Sequence, residues 1–138
     1  MNDNLIFEKV EQRIISLRGE KILLDSDVAE LYGVETKRVN EAVKNNPDKF
    51  PQGYIFELSQ IEKTEVVENF DRLLKHKFST TIPKAFTEKG LYMLATILKS
   101  EKATQTTLAI VETYSRIREL SRTMLELADT VDKNNKKH

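Results

Sequence analysis

The sequence predicts an α+β fold, mostly helical: a winged-helix-like domain with a helix-turn-helix, a small β-sheet and a long C-terminal helix. Three observations carry that prediction. Between Leu24 and Asn46, apolar residues recur at helical spacing on both sides of Gly33. Short β-rich runs at 14–24 and 54–58 are punctuated by Gly and Pro. Beyond Gly90 no Gly or Pro interrupts the chain, and Ile110, Ile117, Met124 and Val131 stand seven apart.

Composition narrows the function classes. Lys plus Arg and Asp plus Glu each number 22, so the formal net charge is zero. That argues against a protein that coats nucleic acid non-specifically, because such binding rests on neutralising phosphates. It leaves room for a DNA reader with its positive charge on one face. With no cysteine there is no disulfide framework, thiolate metal site or thiol nucleophile. No apolar run approaches the roughly 20 residues of a membrane span, and the N-terminus lacks the basic start and apolar core of a signal peptide. The expected location is cytoplasmic. The expected division is a domain over 1–120 and a helical extension with a polar tail over 121–138.

Taken in order, Leu5 to Gln12 read as a lead-in without assigned structure. Ile14 to Arg18 and Lys21 to Leu24 read as a hairpin turning at Gly19-Glu20. Asp25 or Ser26 is expected to cap the first helix of the pair. Val28, Ala29, Leu31 and Tyr32 form its apolar face, Gly33 ends it, and Val34 plugs the angle. The second helix sets Val39, Ala42 and Val43 behind and Lys37, Asn40, Glu41 and Lys44 in front, flanked by Arg38 and Asn45. Asn46-Pro47 stops it. A strand follows at Tyr54–Leu58, and Ser59 with Glu62 forms a capping box for a helix reaching about Leu74. Phe78 to Lys84 is expected as the arm of a β wing pairing with 54–58. Thr87 caps a helix over Glu88–Leu98. Ser100 or Thr104 opens the last helix, expected to pack on the domain from Leu108 to Tyr114, run to about Val131 and leave a frayed tail over 132–138.

The candidate chemistry is that of a binding surface. A helix with a dry back and a front of long hydrogen-bonding side chains suits the major groove, whose base edges offer donors and acceptors. Lys37, Asn40, Glu41 and Lys44 are the candidates for base edges. Thr36, Arg38, Arg72, Lys75, Lys77 and Lys84 are the candidates for phosphate. No glycine-rich phosphate loop and no nucleophile motif occurs, and His76 and His138 have no regularly spaced ligand partners. The reading is therefore not an enzyme, with no cofactor, no metal and no evident small-molecule substrate. Ile117, Leu120, Met124, Leu127 and Val131 make a stripe that suits a homodimer. The alternative is a protein-interaction or assembly module acting through that helix.

Residue detail sharpens this. Asp27-Val28-Ala29-Glu30, Gly33-Val34 and the Val39/Val43 pair resemble the helix-turn-helix of lactose-repressor-type regulators, with Glu35 departing from the usual Ser cap. Over Ile14 to Leu120 the chain resembles the ORF-six N-terminal type of phage and prophage DNA-binding domain, a relative of KilA-N and Bro-N domains. The resemblance is carried by 22–40, by Phe50-Pro51 with Phe56 and Leu58, and by Pro83, Ala85-Phe86-Thr87-Glu88-Lys89-Gly90 and Met93-Leu94. It implies binding of double-stranded DNA in a regulatory context, without catalysis. Relatives often carry a Gly- and Arg-rich segment before the Pro-x-Ala-Phe-Thr-Glu block. Here that place holds Lys75 to Thr81, with neither residue, which implies a looser grip on phosphate.

Overall fold

The computed structural model describes residues 2–136, and side chains from 6 to 135. Its elements are α1 (Asn2–Arg13), β1 (Ile15–Leu17), β2 (Glu20–Leu24), α2 (Asp25–Tyr32), α3 (Thr36–Asn45), β3 (Ile55–Glu57), α4 (Gln60–Asn69), β4 (Lys84–Phe86), α5 (Glu88–Ala95) and α6 (Glu101–Lys136), with 3-10 turns at Pro47–Lys49 and Asp71–His76. The fold is α+β and mostly helical, around one antiparallel four-stranded sheet in the order β1-β2-β4-β3.

The sheet is the partition of the molecule. Ile22, Leu23 and Leu24 are buried in succession, because both sheet faces are covered and alternation has no exposed side to mark. Leu23 and Phe86 belong to the larger core, with Val28, Val39, Leu91, Ile110 and Tyr114 from the surrounding helices. Ile15, Ile22, Leu24 and Ala85 pack the other way, onto Leu58, Val66, Val67 and Leu73. The β1–β2 hairpin turns on Arg18 and Gly19, both at positive φ (53° and 75°), as a two-residue turn matched to strand twist requires. The turn thus lies one residue earlier than the sequence pattern suggests.

Other boundaries also move. The lead-in is helical: α1 buries Val10 completely and sets Phe7 under the Arg116 guanidinium, 3.9 Å from the ring centroid. Neither Asp25 nor Ser26 caps α2. Leu24 holds the cap position because β2 runs straight into the helix, and Asp25 instead accepts from the Ser26 N–H. The helix opened by the Ser59–Glu62 capping box stops at Asn69, not Leu74, because Phe70 turns extended. Segment 78–83 is irregular and forms no wing arm. The strand that pairs with β3 is Lys84–Phe86, and α4 lies between the two strands in sequence. Thr87 caps α5, which ends at Ala95, and Ser100 opens α6 by accepting from the Ala103 N–H.

The last helix continues to Lys136 instead of fraying at 132; Lys137 and His138 lie outside the described residues. Within the stretch expected to pack, Ile110, Thr113 and Tyr114 are buried, but Leu108 is 61% exposed on the opposite side.

The capping box has a second partner. Arg18, on the hairpin turn, donates to both Glu62 oxygens at 2.9 and 2.8 Å while its guanidinium lies 4.2 Å from the Phe56 ring centroid. Those bonds, with the Ser59 N–H, hold the Glu62 carboxyl down at about 2, from an ordinary 4.5. A carboxylate with a depressed folded-state value stabilises fully above its unfolded value and loses that contribution as pH falls toward the folded one. The melting temperature of wild type should therefore exceed that of Arg18→Ala at pH 6. The gap should close between about pH 4.5 and pH 2, and a constant gap would assign the effect to packing on Phe56.

Candidate nucleic-acid interface

Gly33, at φ 71°, takes the left-handed conformation that ends α2, and the backbone N–H groups of Gly33 and Val34 return to Glu30 and Ala29. This Gly cap fixes the angle between α2 and α3. Val39, Ala42 and Val43 then face the core, at 0%, 1% and 7% exposure. Lys37, Arg38, Glu41 and Lys44 are left together on the outer face. Lys37 and Glu41 stand 3.9 Å apart as an i,i+4 pair, which at this exposure adds little stability and leaves both free to meet a ligand.

One residue expected on that face, Asn40, and one phosphate candidate, Thr36, turn inward. Asn40 Nδ2 donates to Asp25 Oδ2 at 3.1 Å, so the amide expected at a base edge instead ties α3 to the start of α2. Thr36 is half-buried at the rim of the same site. Burial pushes the Asp25 carboxyl up, and the bonds from Asn40, the Ser26 N–H and the Lys84 backbone, with the Lys84 charge, oppose that push. Lys84 is half-buried in β4 beside this carboxylate rather than on a free loop.

Arg72 is also withdrawn from the expected phosphate set. Its guanidinium donates to Asp27 through Nε (3.1 Å) and a terminal nitrogen (2.9 Å), and stacks over Phe70. Asp27 is buried, so this fork neutralises a carboxylate that would otherwise be costly inside the fold. Lys75 and Lys77 do remain exposed. They lie on a 3-10 turn and its exit, and neighbouring His76, Ser79 and Thr81 share a cavity wall with Thr36 and Asn40. The basic segment therefore runs beside the first turns of α3.

At the other end, Ile117 is half-buried, while Leu120, Met124, Leu127 and Val131 are 57–62% exposed on α6. Among the described residues no group of three or more His, Asp or Glu side chains is placed to hold a metal. No helix among them is long and apolar enough to cross a membrane.

A family profile described as the ORF6N domain matches residues 12–97, more than half of the chain. The chain belongs to the ORF6N domain family. ORF6N is a phage-type domain, and its matched segment spans the hairpin, the helix pair, the whole sheet and α5. Comparison with curated proteins and with solved structures returns no match. Sequence reasoning found the outer face of α3 but missed the Asp25–Asn40 and Asp27–Arg72 pairs. The visible signal for them was two acidic residues, Asp25 and Asp27, opening a helix with little exposed surface.

Proposed function

We propose that this ORF6N domain binds double-stranded DNA as a sequence-specific regulator of phage type, by binding and without catalysis. The observation that carries the reading is α3 itself: a fully dry back, a rigid Gly-capped entry and four long polar side chains on one open face. In this reading Lys37, Glu41 and Lys44 meet base edges in the major groove, and Arg38, Lys75 and Lys77 meet phosphates. Asn40 acts from behind by holding the angle of the pair.

A salt titration over sequences selected from random DNA tests the division of labour. Lys37→Ala with Lys44→Ala should erase the preference among sequences, at about 1–3 kcal/mol for each base edge no longer read. Melting temperature should barely change. Lys75→Ala with Lys77→Ala should weaken all sequences alike and lower the salt slope by roughly 1 to 2 units. Unchanged DNA affinity in the first pair would sink the assignment.

The exposed stripe on α6 favours a second, compatible reading, in which two chains associate through Ile117, Leu120, Met124, Leu127 and Val131. A symmetric pair would present two α3 helices to half-sites about 34 Å apart. Light scattering should then report a dimer for wild type and a monomer for Leu120→Glu with Leu127→Glu. A monomeric wild type at micromolar concentration would remove this reading and leave the DNA assignment standing.

A further inference from the structure

A cavity of about 200 Å³ lies behind the first turns of α3, between α2, α4 and segment 76–83. One side is aliphatic: Leu24, Leu58, Val66, Val67 and Leu73. The rest is mostly polar and includes Asp25, Asn40, Lys63 and His76, each from a different element. Lys63 is only 3% exposed, and its ammonium donates to the Ser79 carbonyl oxygen. Burying a lysine is rare unless something in the interior uses it.

The hydrogen-bond accounting in this cavity does not close. The Asn40 amide turns its nitrogen to Asp25, donating to Oδ2. That orientation leaves Asn40 Oδ1 buried without a partner, and His76 Nε2 is buried without one as well. Buried polar atoms are nearly always paired. Of the three such unpaired side-chain atoms among the described residues, two belong to this one cavity.

We propose that the cavity is a binding site for a small, uncharged molecule with an apolar body and a primary amide. Its N–H groups would donate to Asn40 Oδ1 and His76 Nε2, its carbonyl would accept from Lys63, and its apolar part would lie on Val66, Val67 and Leu73. A charged occupant would have to give up its hydration against a largely aliphatic lining, a cost that a neutral amide avoids. The volume suits a substituted benzene, since an apolar cavity of about 150 Å³ accepts benzene itself. The site stands on the cavity alone and goes beyond the DNA-binding reading.

Benzamide is the probe, added to DNA-free, isotope-labelled protein and followed by NMR at the Asn40 side-chain amide and the His76 ring. Saturable single-site shifts at both residues are expected, with a Kd on the order of a millimolar for so small a ligand. Toluene, which lacks the amide, and benzoate, which carries a charge, should each bind at least about tenfold more weakly, a difference of about 1.4 kcal/mol. Asn40→Leu should abolish the advantage of benzamide over toluene. Should that variant fail to fold, His76→Leu serves for the same comparison. Shifts absent at both residues would mean that solvent alone fills the cavity and would overturn the proposal. Equal binding of toluene and benzamide would overturn it too, by reducing the polar side to a bystander. DNA takes no part in the measurement, so its outcome is separable from the fate of the DNA assignment.

Discussion

Val39→Asp should leave the chain unfolded at room temperature. Val39 has no exposed surface and packs where α3 meets α2 and α5. An aspartate there enters an apolar core without a partner, and an unpaired charge in such a place costs more than most folded domains have to spare. Circular dichroism should show loss of cooperative melting, whereas Lys37→Ala, on the open face of the same helix, should melt within about 0.5 kcal/mol of wild type. A cooperatively folded Val39→Asp protein would mean that α3 detaches from the core without unfolding it. The assignment of a dry back to this helix would then fail.

Gly90→Ala should be the second most damaging single change, although alanine is ordinarily the better helix residue. Gly90 lies in the first turn of α5, and a Cβ there would overlap the Tyr54 carbonyl oxygen, a backbone atom. That oxygen cannot move aside without loss, because it accepts from the Thr87 N–H at 3.1 Å and the Thr87 hydroxyl at 3.0 Å. Relieving the overlap must pull α5 off β3 or break those bonds. A destabilisation of about 3 kcal/mol is expected, at the upper end for overpacking. It should appear as a melting temperature roughly 10 °C lower. An unchanged or raised melting temperature would show that the helix–strand contact has slack.

The features legible in the sequence were those set by neighbours along the chain. Gly33 announced a left-handed cap, Val39, Ala42 and Val43 a buried helix face, Ser59 with Glu62 a capping box, and Thr87 a helix start. Each depends on residues within four positions. The features that escaped are set by distant partners. Helix α1 has only a weak amphipathic pattern and is held by its packing on α6. Strand β4 is three residues long and is a strand only because β2 and β3 flank it. Arg72 looked like one of a run of surface cations, and only the fold brings it to Asp27, 45 residues away. Asn40 sits on the polar side of α3 by periodicity, yet the turn angle swings that edge of the helix toward Asp25. The candidate interface was thus readable as a face, but which of its residues look outward was decided by tertiary contacts.

The way α6 closes the molecule separates the stretch recognised as ORF6N from the stretch able to fold. The matched residues, 12–97, stop before α6 and exclude nearly all of α1. Yet Val10, Ala103, Ile110 and Tyr114 are all part of the main core. Thr106 donates to the Leu31 carbonyl, Tyr32 shares a hydrogen bond with Thr107, and the Tyr114 hydroxyl donates to Lys21, 93 residues earlier. A protein trimmed to the recognised stretch would uncover the back of α2 and one side of the sheet as a contiguous apolar surface, which invites aggregation. Grafting this domain onto another protein would therefore require carrying the flanks at least from α1 through Tyr114. The first helix and the last are then obligatory parts of the transplant, and the attachment point nearest the C-terminus falls on the exposed stretch of α6 beyond the core.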